Sequence, residues 1–332
     1  GYMSNHINEI SILVNLTIKI ASLIKVDKTL RDAVASDTNG SESAFRVHKK
    51  LCDSEYLKQM TSIRTKAGNV LRQYSFAWDD PEVESYEYAD SNSEYKTGRV
   101  QRAGSRMVIA SVYEELLQPK LAQYKTDFDK ARDAFFKSYP RYIDEARTRL
   151  GSAFYQDDFP EIELLEHKCF FDFYEESVPT MTTDPRLKIS DDLRSKIERN
   201  AKMKERKIVR TAIESFIGSI VEQGKNLSAN VKAMNDKEQK KFFKVSSFDA
   251  FAESVDLIPE YNKSLFGNRS DLTRAYTEIK SLLTSINDVS SLRGTKDDAK
   301  TKRDNFAKGL DKALDPLNDS FFNKLGGKDG TD

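Results

Sequence analysis

The sequence predicts a mainly α-helical protein of the α+β class, in which long antiparallel helices form an elongated bundle beside a small β element. An apolar stripe runs from Ala110 to Leu150 in steps of three or four residues, with a mean of about 3.6, the period of an α-helix. A second helical pattern reaches Met234 after the N-cap signal Ser190-Asp191-Asp192. Alternating β-branched residues between Ile10 and Ile20 indicate a half-buried strand.

Length and composition are those of a globular protein. The 332 residues suggest two structural units, and 38% hydrophobic residues suffice for a packed core. The 53 basic and 53 acidic residues cancel, so any affinity for nucleic acid or an anionic membrane has to come from local charge segregation. Only Cys52 and Cys169 are present, and no apolar segment is long enough to span a bilayer. We therefore expect a cytoplasmic protein with no membrane partner and no cofactor.

Short elements are predicted on both sides of the first long helix. Cys169 to Tyr174 is rich in aromatic and β-forming residues, so we expect a second strand able to pair with the N-terminal one. Asp53 or Ser54 caps a helix whose apolar positions recur at helical spacing as far as Tyr74. Between the N-terminal strand and that cap, residues 44–51 fit either a short strand or a helix.

Charge is segregated in the segment that precedes the first long helix. Seven acidic residues and no basic one lie from Asp79 to Glu94, which is typical of a solvated surface loop. A basic stretch follows, with no acidic residue until Glu114. Because this stretch leads into a helix, its arginines are candidates for an anion site on the helix amide groups, with a flexible hinge as the alternative. The arginines concerned are Arg99, Arg102 and Arg106.

Two prolines interrupt the first long helix. Pro119 and Pro140 each remove an amide donor and clash with the preceding turn, so we expect a kink or a break at both. Gly151 fits a left-handed cap at the end of the run. We expect the resulting bent arm to pair with the 191–234 helix as an antiparallel hairpin.

Aromatic residues are unusually dense on this arm. Thirteen lie between Tyr124 and Tyr174, more than one long helix usually needs. The stripe is expected to form core, since large side chains on one helix face are what a bundle buries. Part of it is also a candidate subunit or partner interface, formed by Tyr124, Phe128, Phe135, Tyr139 and Tyr142.

The predicted domain boundary lies between Pro179 and Pro185. Residues 3–180 hold the small sheet and the first arm, and residues 186–325 hold the second long helix and shorter helices broken at proline and glycine. Gly1-Tyr2 is interpreted as a cloning remnant, and residues 326–332 as a flexible tail. The predicted buried side of the second long helix consists of Leu193, Ile197, Ala201, Ile208, Ala212, Phe216, Ile220, Leu227, Val231 and Met234.

Sequence motifs of enzyme chemistry are missing. The sequence has no phosphate-binding glycine loop, dinucleotide fingerprint, nucleophile elbow or zinc-protease helix, so we expect a non-enzymatic protein without a small-molecule substrate. His48 and Cys52, four positions apart, and His167 and Cys169, two apart, have the ligand types of a tetrahedral zinc site. Neither spacing matches a known zinc module, and a buried cysteine usually behaves as a small hydrophobe. Nothing in the sequence indicates an environment that would activate either cysteine as a nucleophile.

The second long helix carries the strongest basic stretch. Between positions 194 and 210, eight basic residues stand against only Glu198 and Glu205, and further lysines follow to position 244. Such a face suits nucleic-acid phosphates, while the alternative is a solvated helix face that pairs with acidic segments of the same or a neighbouring subunit. The candidate nucleic-acid-binding residues are Arg194, Lys196, Arg199, Lys202, Lys204, Arg206, Lys207, Arg210, Lys240, Lys241 and Lys244. Phe242 and Phe243 fit core or interface better than a platform for bases.

Several strings in the first two thirds of the chain resemble a family of uncharacterised, phage-associated proteins carried as a domain of unknown function. The resemblance covers about residues 12–200, with a fainter echo near 265–283. The strings are His48 to Asp53, Ile63 to Ala67, Trp78-Asp79-Asp80, Phe135 to Tyr139, Arg149 to Phe154, Asp158-Phe159-Pro160 and Val178-Pro179. The chain departs from the family pattern in a longer acidic segment and in Cys52 and Cys169, where larger apolar residues are expected.

The resemblance implies a helical hairpin with a small β element, a phage origin and a role in the host cytoplasm during infection. Some members are encoded near AAA+ ATPases, and no catalytic residue of the family carries over. We therefore expect a non-enzymatic interaction or structural protein that assembles with itself or with a phage or host protein. The alternative is a nucleic-acid-binding accessory protein for phage replication, recombination or genome handling.

Overall fold

The computed structural model describes residues 7–78, 83–89, 95–101, 105–179, 183–236 and 244–318, with only the backbone of 83–89 and 95–101. The helices are α1 (Ile7–Ile10), α2 (Lys28–Thr38), α3 (Glu55–Tyr74), α4 (Ala110–Val112), α5 (Gln118–Leu150), α6 (Ile162–Glu166), α7 (Asp191–Ala233), α8 (Val245–Asp256), α9 (Ile258–Ser264), α10 (Ser270–Ser285) and α11 (Asp297–Leu314). The strands are β1 (Ser11–Lys19), β2 (Ile24–Val26), β3 (His48–Lys50), β4 (Phe76–Ala77), β5 (Val83–Ala89), β6 (Tyr95–Gln101), β7 (Arg106–Ile109) and β8 (Phe170–Ser177).

The protein is mainly α-helical with a small antiparallel sheet, which confirms the predicted fold class. The largest sheet has the strand order β4-β7-β1-β8. Strands β1 and β8 pair antiparallel from Ile12 opposite Ser177 to Lys19 opposite Phe170, so the predicted pairing of the two strands is confirmed. Among the described residues, no helix is both long and apolar enough to cross a membrane.

The chain divides into two compact units. One is Ile12–Ser177, and the other combines Gly1–Ser11 with Val178–Asp332. Each unit holds one of the two long helices, α5 in the first and α7 in the second.

The core of unit Ile12–Ser177 forms where α5 packs on α3 and β8. The predicted N-cap of α3 is confirmed, since the Ser54 hydroxyl accepts a hydrogen bond from the Tyr56 amide. Phe128 of α5 lies 5.7 Å from Phe171 of β8 between ring centroids, which joins the helix to the sheet. The Tyr139 hydroxyl donates to the Pro160 carbonyl at 2.7 Å.

The two prolines of the first arm behave differently from each other. Pro119 stands in the first turn of α5, directly after a π-helical turn at Tyr113–Leu117 that follows α4. The wider turn accommodates the missing amide donor there. At Pro140, where a kink or a break is expected, α5 continues through the proline to Leu150, so the break is wrong and the kink stays a prediction. Gly151 ends the helix as predicted, with a positive φ of 57°, but its ψ of −126° is not that of the predicted left-handed cap.

The expectation of a loop over 79–94 is wrong where the backbone is described. Strands β5 and β6 form an antiparallel hairpin, from Val83 opposite Gln101 to Ala89 opposite Tyr95. The period-two alternation of Tyr86, Glu87 and Tyr88 accounts for it, since aromatic residues favour strands. The acidic segment therefore pairs, strand to strand, with the basic stretch that follows it in the sequence.

Strands β2 and β3 are anchored by a buried ion cluster. Lys49 is 6% exposed, and its ammonium lies 2.6 Å from Asp158 and 3.4 Å from Asp27. Although burial opposes the charge, hydrogen bonds and attraction to Asp158 and Asp27 raise the pKa of the Lys49 ammonium. Lys25 also pairs with Asp158 at 2.6 Å. The cluster fixes β2 and β3 to the 151–158 segment.

In the second unit α7 packs mainly on α11 and α8. The Ser190 N-cap is confirmed by its hydrogen bond from the Leu193 amide, and the helix runs for 43 residues. Phe216 lies 4.5 Å from Tyr261 between ring centroids, in an edge-to-face pair. The main helical partner of α5 is α3, and that of α7 is α11. The hairpin expected between the two long helices stays a prediction.

Candidate nucleic-acid interface

The N-terminal part of α7 is a helix without a buried side. Over Asp191–Lys207, which we call the free half-helix, no residue is buried, and burial begins at Ile208 and Val209. Further along, the buried positions of α7 recur at helical spacing as far as Val231. The C-terminal part of α7 is therefore a core helix, whereas its N-terminal part has no buried residue.

The free half-helix results from unequal helix lengths. Helix α7 has 43 residues, about 65 Å, whereas α11 has 18 residues, about 27 Å. Ser228 of α7 donates to the Ala307 carbonyl at 3.2 Å, and Asn235 donates to Asp304 at 2.7 Å, so α11 covers the C-terminal end of α7.

The predicted cations of α7 are not equivalent. Arg194 donates to the carbonyls of Asp184 and Leu187 at 3.0 and 2.6 Å, and so holds the preceding turn against the helix. Arg210 pairs with Glu214 at 3.2 Å. Among the described residues, four exposed cations form no ion pair: Lys196, Arg199, Lys202 and Arg206. Lys204 and Lys207 are exposed as well.

The remaining predicted lysines lie beyond α7. Lys244 is exposed at the N-cap position of α8, and Lys240 and Lys241 lie outside the described residues, as do Phe242 and Phe243. The structure therefore locates the basic surface on the free half-helix.

The predicted buried side of α7 is wrong at its N-terminal end. Leu193 is 45% exposed and Ile197 37%, and on another side of the helix Met203 is 67% exposed. From Ile208 to Val231 the predicted side is buried, because α8, α9 and α11 supply partners there. Helical periodicity identifies an apolar side but cannot say how far the covering helices extend.

The predicted anion site is not formed as expected. Arg106 lies on β7, where its guanidinium donates to the Ser75 carbonyl and hydroxyl, each at 2.9 Å. Burial lowers the pKa of the Arg106 guanidinium to about 10. Arg99 lies on β6, and Arg102 lies outside the described residues. Because β7 separates the basic stretch from α4, Arg106 is a structural residue of the sheet and not a ligand for an anion on a helix terminus.

Four of the five aromatic residues proposed as an interface are core residues. Phe128, Phe135, Tyr139 and Tyr142 are at most 3% exposed within the single chain, and Tyr124 is half-buried. Phe135 stacks on Tyr142 with ring centroids 5.7 Å apart. A partner protein cannot reach the four buried side chains, so the core interpretation holds for them and the interface interpretation fails there. At Tyr124 the interface stays a prediction.

The histidines and cysteines do not assemble a site. His48 and His167 are exposed, whereas Cys52 and Cys169 are free and buried. The Cys169 sulfur accepts a hydrogen bond from the Ala21 amide at 3.2 Å. Burial raises the pKa of the Cys52 thiol to about 11, which opposes a nucleophilic role. In the part of the chain that the structure describes, no group of three or more histidine, cysteine or carboxylate residues is placed to hold a metal ion.

Comparison of the chain with protein-family models, curated proteins and solved structures finds no match. The resemblance to phage-associated proteins therefore stays a prediction.

Proposed function

We propose that this protein is a non-enzymatic binding protein that binds nucleic acid through the free half-helix. One observation carries the proposal: a 17-residue helical segment, Asp191–Lys207, has no buried residue and displays Lys196, Arg199, Lys202 and Arg206 without ion pairs among the described residues. Rows of exposed cations on a rigid element attract the phosphate backbone and release its counterions on binding.

The local excess of basic residues supports nucleic acid as the ligand, although the net charge of the whole chain is zero. The chain has zero net charge, yet the 194–210 stretch holds eight basic residues against Glu198 and Glu205. Attraction to a polyanion depends on the field near the contact, because salt screens charges beyond about 10 Å at 0.1 M. Distant carboxylates therefore do not cancel this surface.

A protein partner is the second candidate, and a separate observation favours it. Leu193 and Ile197 lie on one side of the free half-helix and are 45% and 37% exposed. Another copy of the chain, or a phage or host protein, would gain from covering them. Light scattering of the wild type and of the Leu193→Ser/Ile197→Ser variant tests this. A multimer that the double substitution dissociates would establish self-assembly.

Fluorescence anisotropy with a labelled 20-base-pair DNA duplex and a 20-nucleotide single strand at low salt tests nucleic-acid binding. We expect binding in the micromolar range, weakening as salt rises. The Arg199→Gln/Lys202→Gln/Arg206→Gln variant should bind at least about tenfold more weakly and lose about three from the slope of log affinity against log salt.

The matched control removes the same charge elsewhere in the same unit. Lys302, Lys308 and Lys312 are exposed on α11, and the triple glutamine variant there should bind like the wild type. If the wild type shows no salt-sensitive binding at micromolar protein, or if both triple variants weaken equally, the proposal fails.

We place this function in a reducing cytoplasm, with a phage-infected host as the proposed setting. Cys52 and Cys169 are free and buried, which supports a chain that folds without disulfides. Affinity purification from infected cells, with nuclease-sensitive detection of nucleic acid, tests the setting and the ligand together.

A further inference from the structure

From the arrangement of its charges, we infer that the free half-helix binds the phosphate backbone of duplex nucleic acid of any sequence, through one face only. This inference rests on the proposed nucleic-acid binding and names the form of the ligand and the mode of contact. The four exposed cations that form no ion pair among the described residues make up this face, which we call the cation face: Lys196, Arg199, Lys202 and Arg206.

The cation face is one side of the helix. At about 100° per residue, its four cations lie within an arc of about 120°. Arg194, Ala201 and Glu205 are half-buried and lie on the other side. Glu198, the second acidic residue of the basic stretch, also lies outside the arc. The cation face therefore points in a single direction, away from the side that the chain partly covers.

The cation face is bounded in both directions along α7. The acidic pair Asp191-Asp192 occupies the first turn, and its carboxylates repel phosphate. Ile213 and Ile217 lie on the same side of the helix as the cation face, at about 100° per residue, and both are buried. The cation face therefore extends from Lys196 to Arg206, over about 15 Å.

The density of phosphates favours a duplex as the ligand. A B-DNA duplex carries about nine phosphates along 15 Å of its axis, at one per about 1.7 Å, whereas each strand carries one per about 3.4 Å. Single-strand binding also relies on aromatic side chains that stack on bases, and residues 191–207 include none. A short row of cations without aromatic residues therefore gains more from a duplex than from a single strand.

The centre of the cation face has no group that reads a base sequence. Met203 is 67% exposed and lies between Arg199 and Arg206, four positions after the first and three before the second. Its thioether is at most a weak acceptor. Asn200, whose amide would suit a base edge, lies outside the arc. Because contacts to phosphate carry no sequence information directly, we expect binding without sequence preference.

The salt dependence of binding counts the phosphate contacts. Fluorescence anisotropy of the full chain with a labelled 20-base-pair DNA duplex is measured at a series of salt concentrations. Four contacts predict a slope of log affinity against log salt of about −3.6, since each contributes about −0.9. A slope of about −6 or steeper would mean that further cations bind phosphate, and it would overturn the contact through one face.

Two lysines two positions apart provide a matched pair of variants. Lys202 belongs to the cation face, whereas Lys204 points about 160° away from it around the helix. Lys202→Gln should weaken duplex binding at least about threefold at 0.1 M salt and remove about one from the size of the slope. Lys204→Gln removes the same charge from an exposed position of the same segment and should leave the slope unchanged. Equal loss of slope in the two variants would overturn the contact through one face.

A panel of labelled 20-mers tests the form of the ligand: three DNA duplexes of different base composition, one RNA duplex and one single-stranded DNA. We expect the three DNA duplexes to bind within about threefold of one another. The RNA duplex should bind within about fivefold of them, because it also presents a double row of phosphates. The single strand should bind at least about fivefold more weakly than the DNA duplexes at the same salt.

The outcomes separate this inference from the proposed function. A tenfold preference for one DNA sequence, a tenfold difference between the DNA and RNA duplexes, or equal binding of duplex and single strand would overturn backbone contact with a duplex. Nucleic-acid binding would stand in each of these cases. No binding to any probe would overturn both.

Discussion

At the scale of single residues, one buried arginine shows how a polar side chain holds separate segments together. Arg303 of α11 is 2% exposed, and its guanidinium donates to the Leu292 and Gly294 carbonyls at 2.8 and 2.6 Å. It also donates to the Asn235 side chain at 2.6 Å. One arginine thus connects α11 to the 289–294 segment and to the end of α7.

Replacing Arg303 with methionine should destabilise the protein. The substitution keeps much of the side-chain volume but leaves the buried Leu292 carbonyl without its donor, which costs about 1–3 kcal/mol. It also removes the hydrogen bonds to the Gly294 carbonyl and the Asn235 amide oxygen, which are only partly buried. Urea unfolding followed by circular dichroism should show a clearly lower midpoint. Lys308→Met, at an exposed position of the same helix, should change the midpoint little, and equal shifts in the two variants would contradict this role of Arg303.

The two cysteines should resist alkylation in the folded protein. Both thiols are buried, and the rise of the Cys52 pKa from 9.0 to about 11 lowers its thiolate fraction at pH 8 about a hundredfold. Because the pKa is raised, thiolate accumulates only at higher pH than in an unfolded chain. Iodoacetamide labelling read by mass spectrometry should be slow in the native protein and fast in urea. Comparable rates in both would show that the thiols are accessible.

At the scale of elements, α7 shows what a periodic pattern can and cannot predict. The N-cap, the helical character and the buried positions from Ile208 to Val231 follow from the sequence, because capping and periodicity are local properties. The exposure of Leu193 and Ile197 does not follow from it. This exposure depends on how far the covering helices α8, α9 and α11 extend, and they lie between Val245 and Leu314.

Two glycines of α7 should respond oppositely to alanine. A methyl group at Gly224 would lie 2.5 Å from Leu314, a buried residue, and 3.2 Å from Phe251, whereas at Gly218 nothing lies within 4 Å. Gly224→Ala should therefore destabilise by about 1–2 kcal/mol through overpacking. Gly218→Ala should stabilise by about 0.5–1 kcal/mol, since alanine is the better helix former. Thermal unfolding of both variants checks the pair, and shifts of the same sign would contradict the close packing at Gly224.

At the scale of the whole molecule, a net charge of zero hides an uneven distribution of the basic residues. The chain has a pI near 7.0, so net charge predicts no retention on a cation exchanger at pH 7. The eight basic residues of the 194–210 stretch lie in one helix. Because this charge is concentrated, we expect the protein to be retained on a cation exchanger.

Phosphocellulose chromatography at pH 7 and low salt should therefore retain the protein. The Arg199→Gln/Lys202→Gln/Arg206→Gln variant should elute at clearly lower salt than the Lys302→Gln/Lys308→Gln/Lys312→Gln variant, although both lose the same charge. Identical elution of the two would show that the free half-helix is not the dominant basic surface.

Local chemistry in the chain specifies the fold class, the caps at Ser54 and Ser190, the two paired strands and the aromatic stripe of α5, because propensity, periodicity and capping act over a few residues. Which apolar positions find a covering partner is settled by packing between segments distant in the chain. That packing buries Phe135 and Tyr142 in the core, uses Arg106 to bind Ser75, and leaves Leu193 exposed beside the cations. The candidate function depends on this last outcome, since a helix covered along its whole length would have no surface to offer nucleic acid.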